Sequence, residues 1–226
     1  MKHISVAIDG PSGAGKSTLA RRAAAEMGYL YVDTGAIYRT VALGALRRGV
    51  APTDAEAVES ILSDLDIRLA YNPEDGLQHM HLNGEDVTEE IRLHEISQHA
   101  SKISAIPGVR AFLLELQRDL ARNHDVVMDG RDIGTVVLPQ AQVKIFLTAS
   151  AQARAQRRFL ELQQRGQQAD FDTVLRDIVL RDEQDSNRPI APLRRAEDAV
   201  LVDTTHLDLE QSLQAILTAI RGGDRE

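Results

Sequence analysis

The sequence predicts an α/β fold: a three-layer sandwich around a five-stranded parallel sheet, interrupted by a small antiparallel β insert. Three observations predict it. Five apolar runs, Ile4 to Ile8, Tyr29 to Val32, Asp125 to Asp129, Val143 to Leu147 and Ala199 to Asp203, alternate with helical segments. Gly10-Pro11-Ser12-Gly13-Ala14-Gly15-Lys16-Ser17 reads G-x-x-x-x-G-K-S and sits between the first of these runs and a helix-forming stretch. Between residues 66 and 100 the pattern changes to short alternating segments separated by turn residues.

Each element has a local reason. Ile4 to Ile8 is a strand, and Lys16 to Met27 is a helix with Leu19, Ala20, Ala23, Ala24 and Met27 on one face. Tyr29 to Val32 is β-rich and stops at Asp33-Thr34-Gly35, after which a helix is expected over Ala36 to Arg48. Pro52 marks a break, and Thr53-Asp54 offers a capping oxygen for a helix through Leu65. Ile67 to Tyr71 and Gln78 to Leu82 are short strands punctuated by Asn72-Pro73-Glu74-Asp75-Gly76 and Asn83-Gly84. Helical spacing returns over Glu89 to Ala105, is expected to break at Pro107-Gly108, and resumes over Val109 to Asn123. Asp125 to Asp129 is a continuous apolar strand ending in a carboxylate, as expected of a strand buried on both faces. Its end is expected beside the glycine-rich loop. Later helices are expected at Ala151 to Arg165, Phe171 to Arg181 and Leu207 to Arg221, with a Pro-bearing loop holding Asn187-Arg188-Pro189 and Pro192. The five strands form a sheet covered on both faces, with its ligand crevice at their carboxyl ends.

At 226 residues the chain can bury a substantial core, and 43% hydrophobic with 27% charged residues is ordinary globular usage. No signal-type segment and no long apolar run is present, so a cytoplasmic protein without membrane attachment is expected. Cysteine is absent, which excludes disulfides and thiolate chemistry. A net charge of -8 and a small aromatic complement disfavour binding to nucleic acid polymers. Of the 26 basic residues only Lys2, Lys16, Lys102 and Lys144 are lysine, and one of these closes the glycine-rich loop.

The chemistry gathers at three strand ends. In the loop Gly10 to Thr18, glycines let successive N–H groups face phosphate oxygens, Lys16 supplies a positive charge and the Ser17 hydroxyl is a ligand for Mg²⁺. A nucleotide polyphosphate is the ligand expected at this loop. Asp129, ending a buried strand, can hold Mg²⁺ through water. Arg39 and Arg131 follow the other two strand ends, and paired guanidinium groups facing a phosphate loop suit a second phosphorylated substrate. Arg154, Arg157, Arg158 and Arg165 share one helix, while Arg181 and Arg188 flank Asp182 to Ser186. A lid carrying such arginines can stabilise charge on a transferring phosphoryl group. The seven histidines show no metal spacing and are read as surface residues, and Tyr29, Tyr31 and Tyr38 as packing. A GTPase switch would need Asn-Lys-x-Asp, and no Asn precedes Lys. A kinase for another small acceptor, such as AMP, dTMP or shikimate, and a non-catalytic nucleotide-binding module both stay open at this point.

The stretches Ile8 to Thr18, Asp33 to Arg39, Asp129 to Val137 and Lys144 to Leu147 resemble the bacterial cytidylate kinases, a branch of the nucleoside monophosphate (NMP) kinases. Arg181-Asp182, Asp185-Ser186, Arg188, Pro192-Leu193 and Asp198-Ala199 extend the resemblance over nearly the whole chain. It implies a P-loop NTPase-type sandwich with an NMP-binding insert at 66–100, a short helical lid at 154–186, and a core made of 1–65, 101–153 and 187–226. It also implies ATP-dependent phosphorylation of CMP, with dCMP as a second acceptor, by a monomer. Under the resemblance Ser101, Arg110 and Asp132 read the cytosine edge, and Thr34 and Asp185 take the sugar with Arg181. Arg39, Arg131 and Arg188 take the acceptor phosphate with Tyr38 nearby, and Lys16, Arg131, Arg181 and Arg188 form the catalytic set. Under the same resemblance Gly10 to Thr18, Arg157 and Arg158 take ATP.

Overall fold

The computed structural model describes residues 3–72, 77–164 and 166–223. In chain order, β1 (Ser5–Asp9), α1 (Lys16–Met27), β2 (Leu30–Asp33), α2 (Thr34–Arg47) and α3 (Ala55–Ile61) lead to β3 (Ile67–Asn72), β4 (Leu77–Leu82) and β5 (Glu85–Asp86). Then come α4 (His94–Ile103), α5 (Pro107–Asn123), β6 (Val126–Gly130), β7 (Val143–Thr148), α6 (Ala151–Gln164), α7 (Phe171–Asn187), β8 (Val200–Asp203) and α8 (Leu209–Gly223). The five-stranded sheet has the order β2-β6-β1-β7-β8, with β1 parallel to both β6 and β7 and β7 parallel to β8. Thus β6 lies directly beside β1, and Ile8 is in register with Asp129.

The chain divides into two compact units, one made of Met1–Tyr31 and Asn123–Glu226, the other of Val32–Arg122. In the first, Val6, Ile8, Val127, Ile145 and Leu147 of the central strands pack with Leu19 and Ala23 of α1 and Leu213, Ile216 and Ile220 of α8. These strands read as continuous apolar runs because neither face meets water. The edge strand departs from that pattern: Val200 and Leu201 are 48% and 49% exposed, so the sheet is not covered on both faces at β8. A smaller cluster joins α6 to α7 through Ala155, Val174 and Ile178, with the Phe159 and Phe171 rings edge to face.

Two glycines shape the loop after β1. Gly10 has φ +154°, and a Cβ there would stand 1.9 Å from the Leu147 carbonyl oxygen, so only glycine lets the chain leave the sheet so close to β7. Gly15 caps α1 in the left-handed region, φ 86°. At the other end of α1, Gly28 is also left-handed and the Tyr29 N–H reaches the Ala24 carbonyl, so β2 begins one residue later than the β-rich run at Tyr29 predicts.

The second unit holds the antiparallel sheet β3-β4-β5, with Leu69 opposite Met80 and Ile67 opposite Leu82. The expected turn at residues 73–76 lies outside the described residues. The helices α2 and α8 are displaced by one or two residues at each end from the sequence reading, and four other boundaries differ for reasons the structure shows. Asp54 caps α3, but the helix stops at Ile61 and tightens into a 3₁₀ turn over Leu62–Asp64. The helix expected from Glu89 begins at His94, because Leu93 is extended after a 3₁₀ turn over Glu90–Arg92. Pro107 does not break a helix but opens α5, where a missing N–H costs nothing. Finally, α7 runs six residues past Arg181 to Asn187, which places Arg181, Asp182 and Asp185 on one helix. No helix among the described residues is long and apolar enough to cross a membrane.

Candidate active site

Within the first unit the loop and strand ends make a dense polar cluster. Lys16 is buried and donates from Nζ to the Pro11 carbonyl at 2.7 Å. Burial, reinforced by the nearby Arg131 guanidinium, pushes its ammonium well below the usual lysine range. Asp129, at the end of β6, accepts the Ser17 hydroxyl at 3.0 Å through Oδ2 and the Tyr31 hydroxyl at 2.9 Å through Oδ1. Tyr31, read from sequence as packing, thus also orients this carboxylate. Beside β6 the Asp9 carboxylate accepts the Ile133 N–H at 2.8 Å and the Gly134 N–H at 2.7 Å, fixing the turn that follows Asp132. Burial raises its carboxyl to about 6 against the opposing pull of those two N–H groups.

Two ion pairs link the segment after β6 to α7 and the loop behind it. Arg131 Nε donates to Asp185 at 2.8 Å, and Arg188 Nη2 donates to Asp132 at 3.1 Å, with Arg188 Nε on the Ala191 carbonyl. Both are arginine–carboxylate pairs at a strand's carboxyl end. Carboxylates seated here hold each guanidinium in place.

The helix α6 divides its arginines among different jobs. Arg154 is buried: Nε donates to the Ala149 carbonyl at 2.9 Å, Nη1 to the Ser12 carbonyl at 2.9 Å, and both terminal nitrogens to Asp182. It is a strut between the phosphate loop and α7. Arg157 donates to the Thr204 hydroxyl at 3.1 Å and carbonyl at 2.6 Å, and Arg158 to Glu161 one turn along. Arg165 lies outside the described residues.

In the second unit, Thr34 begins α2 and is buried, and Arg39 pairs with Asp33 at 2.9 Å. The Arg110 guanidinium lies 5.7 Å from the Tyr38 ring centroid, a cation–π distance, and Nη1 donates to the Ser104 carbonyl at 3.2 Å. The Ser104 hydroxyl donates in turn to the Ser101 carbonyl at 2.9 Å. Ser101 and Arg110, nine positions apart on two helices, are therefore joined through one serine. His79, read as a surface residue, pairs with Asp86 at 2.7 Å across the small sheet, and the hydroxyl and N–H of Thr88 help hold that carboxyl well below its usual range.

The expected residues fall into two sets. The structure brings Gly10 to Thr18, Asp129, Arg131, Asp132, Asp185 and Arg188 together in the first unit, and Thr34, Tyr38, Arg39, Ser101 and Arg110 belong to the second. Arg157 and Arg158 are engaged with Thr204 and Glu161, away from that cluster's hydrogen bonds. Sequence reading gave no place in the site to Asp9, Tyr31 or Asp33. The first two show themselves only through partners about a hundred residues away, whereas Asp33 could have been found as a capping residue before a helix. The oxygen set of Ser17 and Asp129 suits a hard divalent cation such as Mg²⁺ bound largely through water and substrate phosphates. Among the described residues no three His, Cys, Asp or Glu side chains gather in a way that would hold a metal by protein ligands alone.

A family model described as cytidylate kinase matches residues 6–222. A cytidylate kinase of Caldicellulosiruptor bescii is 50% identical over 217 residues, covering 96% of this chain and 95% of its own. A cytidylate kinase of Geobacter sulfurreducens is 49% identical over 220 residues, covering 97% and 94%. Among solved structures, an uncharacterized protein of Eubacterium ventriosum superposes with a TM-score of 0.50 at 11% identity over 99% of this chain and 100% of its own, a likeness of fold. With a model match across nearly its full length and relatives at about half identity, this chain belongs to the cytidylate kinase family.

Proposed function

We propose that the protein transfers the γ-phosphoryl group of ATP to CMP and to dCMP, releasing ADP and the cytidine diphosphate. The observation that supports this best is the cluster of the first unit: a buried lysine on a phosphate loop, accompanied by two arginines already seated on carboxylates. An oxygen of the acceptor phosphate bonds to the γ-phosphorus while the bond from that phosphorus to the β–γ bridging oxygen breaks, and the electron pair leaves with ADP. The acceptor is an ionised phosphate at neutral pH, so no general base is required. Catalysis is positioning and charge neutralisation.

In this reading Gly10 to Thr18 cradle the ATP phosphates through backbone N–H groups, and Lys16 neutralises the β,γ-oxygens. Ser17, with Asp129 through water, would hold Mg²⁺, which would supply charge neutralisation to the donor phosphates. Arg39, Arg131 and Arg188 take the acceptor phosphate, with Tyr38 beside them, and Arg181 joins Asp185 and Thr34 at the sugar. Asp132 accepts from the cytosine amino group while Arg110 and Ser101 donate to the ring's acceptor edge. Arg157 and Arg158 serve the ATP side from a lid spanning 154–186. Asp185 and Asp132 thus both seat an arginine and read the nucleoside. The enzyme is read as a cytoplasmic monomer acting on free nucleotides.

Lys16→Ala tests the donor side. Turnover should fall at least ~100-fold, since a preorganised charge on the transferring group is lost, while the dissociation constant for CMP changes by less than about threefold. Unchanged turnover would remove the loop from the mechanism.

A further inference from the structure

The role given to Arg39 depends on the groups that hold it, and these gather within the second unit. Asp33 ends β2 and caps α2: its Oδ1 accepts the Ala36 N–H at 2.9 Å, and its Oδ2 accepts from Arg39 Nη2 at 2.9 Å. One carboxylate oxygen serves the helix and the other serves the guanidinium. Both side chains are 25% exposed, so the pair is shielded from full solvent screening. Arg39 Nε is buried and has no hydrogen-bond partner among the described residues, which leaves a donor of the same guanidinium unsatisfied beside one that is already occupied. Gly35 completes the seat. A Cβ there would stand 3.1 Å from both Arg39 Nη1 and Asp33 Oδ1, tighter than ordinary contact.

Asp33 is itself gripped from the inserted sheet. Gln78, buried on β4, accepts the Asp33 N–H at 2.8 Å through Oε1, and its Nε2 lies 3.1 Å from the Met80 sulfur and 3.5 Å from the Asp33 carbonyl. The side-chain amide therefore meets the Asp33 backbone as a neighbouring strand would.

We infer that Asp33 is a positioning residue for the acceptor phosphate: its carboxylate locks the Arg39 fork in advance, and the Gln78 amide ties that lock to the inserted sheet. The inference rests on the reading of Arg39 as a phosphate ligand. An arginine held at one terminal nitrogen has less rotamer freedom to lose when phosphate arrives, so binding is tighter than to a mobile side chain. Removing the charge of Asp33 frees the fork without removing it.

Asp33→Asn makes the separation cleanly, because asparagine retains a capping oxygen for α2 but no negative charge. The expected result is a rise of ~10-fold in KM for CMP, the loss of one charge-assisted hydrogen bond, with KM for ATP within twofold and an unshifted melting temperature. In an Arg39→Ala background the same substitution should add nothing, since its effect passes through Arg39. Gln78→Met should move KM for CMP in the same direction by a smaller factor. If Arg39→Ala raises KM for CMP while Asp33→Asn leaves it within twofold, the positioning role is overturned and the reading of Arg39 stands. Additive effects in the double variant, or equal shifts in both KM values, overturn it likewise. If Arg39→Ala leaves KM for CMP unchanged, the phosphate reading falls and takes the inference with it. Asp33→Ser, which also caps, repeats the test should the asparagine variant fail to fold.

Discussion

Replacing Asp9 by asparagine should change how stability depends on pH, and the structure gives the size of the effect. Asp9 is 4% exposed, and its carboxyl is raised from the ordinary 3.8 to about 6, chiefly by burial. The folded protein therefore holds this proton more tightly than the unfolded chain does, and ionising Asp9 costs stability. That cost is absent below 3.8, grows as pH rises, and is complete above about 6. A shift of that size corresponds to roughly 3 kcal/mol. Asparagine cannot ionise; its carbonyl keeps one of the two backbone N–H groups and its amide nitrogen faces the other, a constant loss at every pH. Urea unfolding of both proteins at intervals between pH 4 and pH 7.5 isolates the titration. The stability of the parent relative to Asp9→Asn should decline by roughly 2 kcal/mol across that range, the remainder having been lost below pH 4, whatever the sign of the constant offset. Parallel curves would refute the reasoning, because they would mean that Asp9 titrates as a solvated carboxyl.

Arg154→Met should destabilise the protein by ~3 kcal/mol, because it strands Asp182 and the Ser12 carbonyl inside a packed junction; the paired side chains are only 5% and 26% exposed. A loss below about 1 kcal/mol in urea unfolding, the range of a surface pair, would contradict the strut. Asp132→Ala should lower the preference for CMP over UMP, measured as the ratio of their kcat/KM values, by a factor on the order of 10 to 100, the discrimination carried by one base-edge contact. Because Arg188 also loses its carboxylate, both substrates should slow, and an unchanged ratio would remove Asp132 as the base reader.

What could be read in the sequence was what local chemistry dictates. Gly10 to Ser17 announced a phosphate loop because each residue type there has a short-range job, and Gly10 proved to be a position that no side chain can enter. The strands β1, β6 and β7 were legible as unbroken apolar runs because they are buried on both faces. The end of α7 was not legible. Asp182 to Asn187 is polar enough to look like a loop, yet Asp182 is bound by Arg154 and Asp185 by Arg131, and these distant partners carry the helix on. The same limit hid the work of Asp9 and Tyr31, whose partners arrive with β6 and the turn after it. Helical spacing placed Arg154 beside Arg158 and could not tell a buried strut from a surface cation. Acceptor identity was the least legible feature: no spacing rule selects cytosine, and that reading came from resemblance and is supported by family membership.

The most direct measurement follows the products when the purified protein is given ATP and Mg²⁺ with CMP, dCMP, UMP, AMP, dTMP or shikimate in turn. CMP and dCMP should each yield one ADP per cytidine diphosphate formed, with kcat/KM at least ~10-fold above every other acceptor, as one lost base-edge contact requires. ADP release that is no faster with CMP and dCMP than without an acceptor would contradict the account at its centre.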